Sequence, residues 1–529
     1  MRHLLLLILL LPMALRAAEP PADAEATPDP ASAKAKFDEA NADAVAAAWA
    51  RPPLDEAKSV TRHSVNVNGR KLDYTATAGT LTIRDNHAKP TASVFYVAYT
   101  LDGAAPGKRP VTFLFNGGPG SSSIWLHMGS FGPMRVQTSM PATVRPGPPA
   151  FGANRDTLLD KTDLVFIDAI GTGYSRPVGE AKGADFWGVD QDIDAFARAI
   201  TRYVTKTQRW NSPKFLLGES YGTLRASGLA YQLGERGMAL NGVVLLSTIL
   251  NYGVEQSGYD TFFITLLPTY VATAWYHNRM ADRPATVDEA VAQARAFAMG
   301  PYAAALAKGA LITPAERDAV ANKMAALTGI SADYIKRANL RVDLFRYEKE
   351  LLRDQRTTVG RLDTRYTGVD VDAAGEFPEY DAAGTAITGA YTAAFGDYIS
   401  RDLGYRSELA YLTSADGPDG DKDFDWDWEH KAPGAPYPQT TPNVGPDLSA
   451  AMRTNPYLKV LALNGYYDLA TPFFATEYDV AHLLLEPAQA ANVSFRYYPS
   501  GHMIYLNPDS LHQLHTDLAA FYDDATSGL

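Results

Sequence analysis

The chain has 529 residues, of which 46% are hydrophobic and 20% charged, so a folded globular protein is expected, with one large domain carrying an insertion or with two or three domains. Its formal net charge of −12 argues against a nucleic-acid partner, which needs clustered Lys and Arg. The absence of cysteine excludes a disulfide framework, a cysteine nucleophile and cysteine-ligated metals.

The first eighteen residues have the pattern of a secretory signal. A basic start is followed by an apolar run at residues 4–15, which is too short to span a bilayer, and then by small residues. We therefore expect residues 1–18 to be a signal peptide and the protein to be exported, to a periplasm or out of the cell. Residues 19–55 are rich in Ala and Pro and predict a flexible leader. No later apolar run approaches membrane length, so no span is expected in the mature chain.

Residues 56–252 predict the first part of an α/β core. Alternating apolar and polar residues over 64–100 indicate antiparallel strands. Residues 110–115 and 163–167 are continuous apolar runs, which are typical of strands covered by helices on both faces. Strands, glycine-rich turns and helical patterns then alternate up to residue 252, as in α/β proteins.

Residues 253–456 change in character and predict a mainly helical insertion. Thr286 and Thr313 each begin a capping box, with Glu three residues later. Residues 416–446 are rich in Asp, Gly, Pro and Trp and predict a solvated surface loop. The strand pattern resumes over residues 457–529, which predict the second part of the core.

A G-x-S-x-G motif surrounds Ser220. The apolar run before it predicts a strand, and a helical pattern follows at residues 223–233. Strand, sharp turn and helix form the context in which this motif presents a nucleophilic serine. The alternative is an ordinary glycine-rich turn between a strand and a helix.

Two residues downstream fit the partners that such a serine needs. A serine hydroxyl requires a base, and the base requires an acid to orient it; on α/β-hydrolase sheets they follow in the order Ser, Asp, His. Asp468 and His502 each follow a predicted strand and a glycine. Of the ten histidines, His502 alone stands in a Gly-flanked turn directly after a strand. The competing acid, Asp479, lies in a helical pattern, and turn-forming or structural roles are the alternatives.

Residues 116–120 (NGGPG) follow an early strand and predict a donor for a developing oxyanion. Nothing blocks the backbone of a glycine-rich turn, so its N–H groups can face a reacting carbonyl. Gly118 and Tyr221 are the natural pair of N–H donors. A plain glycine-rich loop is the alternative.

Together these motifs resemble the serine carboxypeptidase family of α/β hydrolases. The resemblance rests on residues 116–123 (NGGPGSSS), 168–175 (DAIGTGYS), 218–222 (GESYG), 464–468 (NGYYD) and 501–503 (GHM), all in family order. It covers about residues 94–252 and 457–529. It implies an α/β-hydrolase fold with a mixed, mostly parallel central sheet and a mainly helical cap, and a carboxypeptidase that acts on peptides without a cofactor or a metal.

The resemblance also implies a role for each matching residue. The triad would be Ser220, Asp468 and His502, the oxyanion donors Gly118 and Tyr221, and the groups that bind the free carboxylate of the substrate Asn116 and Glu219. A Glu donates to a carboxylate only when protonated, so the family pattern implies activity in acid. Ser121 replaces a common Cys, and Ser130 stands where some members carry a second Glu. Without that Glu, Glu219 lacks a like charge to raise its pKa.

Two other functions are compatible with the pattern. An esterase or acyltransferase on the same scaffold would share the triad but would have no use for Asn116 and Glu219 as carboxylate binders. A catalytically inactive binding protein is the third possibility. An active-site serine probe would label a carboxypeptidase or an esterase or acyltransferase, but not such a binding protein. The sequence indicates neither the preferred side chain of the substrate nor the oligomeric state.

Overall fold

The computed structural model describes residues 56–139, 141–254, 256 and 258–528. The predicted signal at 1–18 and the predicted leader at 19–55 lie outside the described residues. Among the helices that are described, none has the length and apolar character needed to cross a membrane.

A central sheet organises the fold. The strands of the chain are β1 Lys58–Val67, β2 Arg70–Arg84, β3 Pro90–Leu101, β4 Val111–Phe115, β5 Met134–Val136, β6 Phe151–Ala153, β7 Asp163–Ile167, β8 Arg176–Pro177, β9 Lys214–Ser220, β10 Gly242–Thr248, β11 Thr358–Val359, β12 Thr367–Gly368, β13 Lys459–Gly465 and β14 Val493–Tyr498. The sheet has the order β1-β2-β3-β7-β4-β9-β10-β13-β14, and β8 pairs with β3. Pairings among β1, β2, β3 and β7 are antiparallel, and from β7 to β14 every pairing is parallel. The predicted α/β fold with a mixed, mostly parallel sheet is confirmed.

Helices cover both faces of this sheet. The α-helices in the described residues are α1 Ile124–Gly129, α2 Val189–Lys206, α3 Tyr221–Glu235, α4 Asp260–Tyr276, α5 Val287–Phe297, α6 Ala303–Ala307, α7 Pro314–Thr328, α8 Ala332–Arg337, α9 Leu344–Glu350, α10 Ala382–Arg401, α11 Gly445–Thr454, α12 Phe473–Ala481, α13 Pro487–Ala490 and α14 Pro508–Ala525. In β9, Leu216 packs in one apolar layer with α2, α3 and α11, while its neighbours Phe215 and Leu217 pack in the other with α10 and α14. Burial on both faces explains why these strands are continuous apolar runs.

A third apolar cluster joins the helices between β10 and β13. It contains residues of α4, α5, α7 and α9, together with Leu469 and Phe473 from the chain after β13. The capping boxes predicted at Thr286 and Thr313 are present, each with its Glu bonded back to the first residue. The limits 56–252, 253–456 and 457–529 stay a prediction.

Two features of this region differ from the expectations. Helix α10 lies within the predicted insertion, yet it packs in the same apolar layer as β4 and β7 of the core. The loop at residues 416–444 is not merely a solvated turn, because Trp426 is 9% exposed and His430 is 4% exposed. His430 is held at both ring nitrogens, by Asp190 at 2.6 Å and by Asp447 at 2.9 Å. This pairing fixes the loop to α2 and α11.

Candidate active site

Ser220 occupies a turn that few residues tolerate. It is the last residue of β9, α3 begins directly after it, and its φ is +62°. A Cβ at Gly218 would lie 1.9 Å from the carbonyl oxygen of Gly222, and a Cβ at Gly222 would lie 2.7 Å from that of Phe115. The two motif glycines are therefore required because backbone approaches them too closely for a side chain. The helix begins two residues earlier than predicted.

His502 and Asp468 are in contact beside this turn. His502 Nδ1 lies 2.8 Å from Asp468 Oδ2, and Asp468 is fully buried. Asp468 Oδ1 accepts from the backbone N–H groups of Ala470 and Thr471, at 2.8 and 3.0 Å. The Thr471 hydroxyl donates to Asp468 Oδ2 at 2.7 Å. With its carboxylate held by these donors, Asp468 is placed to accept a hydrogen bond from His502 Nδ1.

The surroundings of His502 favour its charged form. Burial lowers the pKa of His502, but the charge and hydrogen bond of Asp468, with a smaller effect of Glu219, outweigh it and raise that pKa above 6.5. The carbonyl oxygen of His502 accepts from the Ser247 hydroxyl at 2.6 Å, which fixes the backbone of the turn. An imidazolium formed at this position would therefore be stabilised.

A cavity of about 420 Å³ opens at the Ser220 turn. Ser220, His502, Asn116, Gly118 and Glu219 line it, so five of the seven predicted site residues share one space. Asp468 lies behind His502. Apolar side chains supply much of the remaining wall, and they are Trp125, Ile249, Tyr252, Phe262, Leu344, Leu362, Leu469 and Met503. Such a mixture of apolar wall and few polar groups is typical of a ligand site.

Gly118 and Tyr221 stand in two turns that approach each other next to Ser220. Gly118 has a φ of +107° and lines the cavity. Tyr221 is the first residue of α3, where the backbone N–H has no partner within the helix. Its ring is buried against Trp426, with ring centroids 5.3 Å apart. A Cβ at Gly117 would lie 2.4 Å from Tyr221 N, so the two turns are in close contact.

Glu219 is a buried carboxyl with a strongly raised pKa. It is 2% exposed, and burial raises its pKa from 4.5 to about 7, against the lowering effects of His502, Tyr505 and Asn116. Tyr505 Oη donates to Glu219 Oε2 at 2.9 Å. Asn116 Oδ1 accepts from the Leu126 N–H at 2.9 Å, which turns the amide NH₂ of Asn116 toward Glu219. Burial, with a smaller effect of the Asp468 charge, thus raises the pKa that a second carboxylate was expected to raise.

The two departures from the family pattern have structural partners of their own. The Ser130 hydroxyl donates to Leu126 O at 2.6 Å, at the end of α1. The Ser121 hydroxyl accepts from the indole N–H of Trp125 at 3.0 Å. Ser121 therefore helps to hold one wall of the cavity.

Three residues at the site were missed by sequence reasoning. Thr471 follows Asp468 by three positions, and this spacing is a weak signal for a local turn around an Asp side chain. Tyr505 follows His502 by three positions but carried no signal. Arg361 lines the cavity from the predicted insertion, and nothing in the sequence connects it to the site.

Comparison with protein families gives one match. Residues 68–260 match the model of the family described as serine carboxypeptidase. The matched segment includes the motif at 116–123 and Ser220, and it ends before Asp468 and His502. A search of curated proteins found no match. The predicted resemblance and the assignment as a serine hydrolase are confirmed by the family match.

Solved structures resemble the chain at low sequence identity. The carboxypeptidase Kex1(Δ)p of Saccharomyces cerevisiae, which processes prohormones, is 14% identical over 85% of this chain and 92% of its own, with a TM-score of 0.46. Proline iminopeptidase of Mycobacterium smegmatis is 14% identical over 84% and 98%, with a TM-score of 0.35. A carboxyl esterase of Bacillus coagulans is 12% identical over 84% and 98%, with a TM-score of 0.33. At these scores the similarities carry no functional argument.

Proposed function

We propose that this chain, whose residues 68–260 match the serine carboxypeptidase family, releases C-terminal residues from peptides through a Ser-His-Asp triad and an acyl-enzyme. The observation that carries the proposal is the buried Glu219, with a pKa of about 7, lining the same cavity as Ser220 and His502. An esterase has no use for a protonated carboxyl at that position, whereas a carboxypeptidase needs one to bind a carboxylate.

In the first half of the reaction, Ser220 is the nucleophile. His502 Nε2 takes the hydroxyl proton while Ser220 Oγ forms a bond to the last peptide carbonyl carbon. Asp468 keeps the other ring proton on Nδ1 and stabilises the imidazolium. The N–H groups of Gly118 and Tyr221 stabilise the oxyanion. His502 then gives its proton to the leaving amine as the C–N bond breaks.

In the second half, water replaces the amine. His502 takes a proton from that water while the hydroxide forms a bond to the acyl carbon. The proton returns to Ser220 Oγ as the ester bond breaks. The products are the shortened peptide and the free terminal residue, and no cofactor takes part.

Asn116 and Glu219 give this scheme its specificity for a terminal residue. The Asn116 amide and the protonated Glu219 carboxyl donate hydrogen bonds to the substrate carboxylate, while Tyr505 donates to Glu219. Above pH 7 Glu219 loses its proton, and two carboxylates then repel each other. We therefore expect kcat/KM for peptides to fall as the pH rises through about 7.

The test compares one blocked dipeptide with a free C-terminal carboxylate and with an amidated one, from pH 4 to 8. We expect strong preference for the free acid, which Glu219→Ala and Asn116→Ala reduce and Ser130→Ala, the control, leaves unchanged. Ser220→Ala should be inactive on both. Equal cleavage of the two forms, or cleavage of esters alone, would leave a serine hydrolase and reject the exopeptidase.

Export and domain organisation are part of the same proposal. We infer that residues 1–18 direct the chain to a periplasm or out of the cell, and that residues 253–456 form the cap of the site. Deleting residues 1–18 should retain the protein in the cytoplasm, as fractionation would measure. Equal export of the truncated chain would contradict the signal assignment.

A further inference from the structure

The segment at residues 361–365 (RLDTR) contacts both turns that carry the proposed base and acid. It lies between β11 and β12, far in sequence from either turn. The backbone N–H of His502 donates to Leu362 O at 2.6 Å. The backbone N–H of Leu469, next to Asp468, donates to Arg361 O at 3.0 Å. The segment therefore bridges the two turns through its backbone.

Asp363 adds a buried carboxylate to this bridge. It is 2% exposed, and its Oδ2 accepts from the backbone N–H of Gly501 at 3.1 Å, immediately before His502. A Cβ at Gly501 would lie 2.4 Å from Asp363 Cβ, so the backbone there is pressed against the segment. The hydrogen bonds from the Gly501 N–H to Asp363 and from the His502 N–H to Leu362 thus fix the backbone at His502.

Arg365 extends the bridge to the end of β14. Its guanidinium forms a bidentate pair with Asp363, with 3.0 Å from Nε to Oδ1 and 2.7 Å from Nη2 to Oδ2. It also donates to Pro499 O and to Ser500 Oγ, and it lies 5.0 Å over the ring of Tyr467. Tyr467 directly precedes Asp468, so one side chain contacts both turns.

The other side of the segment is anchored in helices. Thr364 O is 2.7 Å from His277 Nε2 at the end of α4, and Thr364 Oγ1 is 2.7 Å from Thr273 Oγ1 within α4. Asp381, the N-cap of α10, accepts from the backbone N–H of Leu362 at 3.1 Å. The segment is therefore held to α4 and α10 while it holds the two turns.

We propose that residues 361–365 are a clamp that sets the geometry between His502 and Asp468, with Asp363 and Arg365 as positioning residues. A buried ion pair contributes little net stability, since its desolvation offsets its attraction. Its contacts here converge on two turns whose relative position decides proton transfer. A misplacement of about 1 Å costs on the order of 100-fold in rate. The inference rests on the roles proposed above for His502 and Asp468.

The experiment uses Arg365→Lys in the full chain, with Arg209→Lys as the matched control. Arg209 forms an equally buried pair with Asp163 at 2.5 Å, but at the start of β7, at the opposite end of the strands from the cavity. Lysine keeps the positive charge in both variants but cannot form the two parallel hydrogen bonds that a guanidinium makes with a carboxylate. The readouts are the rate at which an organophosphonate serine probe labels Ser220, its pH profile, and the downfield proton NMR signal of His502 Nδ1.

Arg365→Lys should label roughly 10- to 100-fold more slowly. Its Nδ1 signal should shift or broaden, and the acid limb of its labelling profile should move to lower pH, because a looser contact weakens the effect of Asp468 on His502. Arg209→Lys should match the wild type in all three. Labelling and NMR signal unchanged in Arg365→Lys, or altered equally in both variants, would overturn the clamp.

If urea titration shows that Arg365→Lys is unfolded, Ser500→Ala takes its place. It removes one contact with Arg365 and should slow labelling about threefold, with the NMR signal shifted in the same direction. The wild type separates the two proposals. If Ser220 is labelled rapidly but no C-terminal residue is released from peptides, the carboxypeptidase is rejected. The clamp is then judged by its own readouts. If the wild type is not labelled, the NMR signal alone decides the clamp.

Discussion

Glu219→Gln should change how the stability of the protein depends on pH. In the folded chain the pKa of Glu219 is about 7, against 4.5 for an ordinary Glu. The folded state therefore binds this proton more tightly than the unfolded state does. Between these two values the folded state holds more protons, so its stability decreases as the pH rises. The stabilisation of the folded state by this tighter proton binding is complete below pH 4.5 and is lost as the pH passes through 7.

The size of the effect follows from the same two values. A difference of one pKa unit corresponds to 1.36 kcal/mol. Between pH 4.5 and pH 8, ionisation of Glu219 should therefore cost about 3 kcal/mol of the free energy of unfolding. The cause is burial, since the side chain is 2% exposed and its charged form is poorly solvated. Gln keeps the shape and has no proton to lose.

The assay is urea unfolding of the wild type and of Glu219→Gln at pH 4.5, 6, 7 and 8. The difference between the two free energies should change by about 3 kcal/mol across this range, in favour of the variant at high pH. Titrating groups away from Glu219 cancel in that difference, whereas His502, whose pKa Glu219 raises, contributes to it. Parallel curves for the two proteins would refute the reasoning, because the pKa of Glu219 would then be the same in the folded and unfolded states.

Glu56→Gln is the control. Burial raises the pKa of Glu56, but hydrogen bonds from Arg202 and Lys206 outweigh it and lower that pKa to about 2. Its stabilising effect is therefore present above pH 4.5 and is lost only as the pH falls toward 2. Between pH 4.5 and 8 the curve of Glu56→Gln should run parallel to that of the wild type.

Three further substitutions test the site. Asp468→Asn should lower kcat about 10⁴-fold with KM little changed, since the Asn amide can hold His502 in the wrong tautomer; a loss under tenfold would contradict the role of the acid. Thr471→Val removes a hydroxyl donor to Asp468 Oδ2 and should lower kcat about tenfold in steady-state assays; an unchanged kcat would show that the two backbone donors suffice. Gly222→Ala brings a Cβ within 2.7 Å of Phe115 O and should cost about 1–3 kcal/mol in urea unfolding and slow probe labelling; wild-type behaviour would show that the turn can relax.

The strands that position the site were predictable from sequence for a physical reason. Strands β4, β7, β9, β10 and β13 are buried almost throughout, so their apolar runs are continuous. Strand β14, which precedes His502, is an edge strand that is only partly buried. The residues just after these strands could then be assigned to one edge of the sheet, which is how Asp468 and His502 were found.

The parts that escaped prediction depend on contacts distant in sequence. Helix α10 is rich in Ala, Gly and Thr, and its apolar face contrasts little with its exposed face. The pKa of Glu219 depends on burial under Tyr505, which lies 286 residues away along the chain. The link from Arg365 to Ser500 spans 135 residues. Such pairs leave no local pattern, because only the finished fold brings them together.

The strand order also decides when the chain becomes competent during synthesis. Ser220 ends β9, but β13 and β14, the strands that precede Asp468 and His502, join the sheet beyond β10 in that order and are made only about two hundred residues after β10. Until then β10, all seven of whose residues become buried, is an unpaired apolar edge. Such an edge pairs readily with other chains. A growing chain therefore carries Ser220 without its proposed base, together with an unpaired strand edge. Both conditions end when β13 and β14 join the sheet.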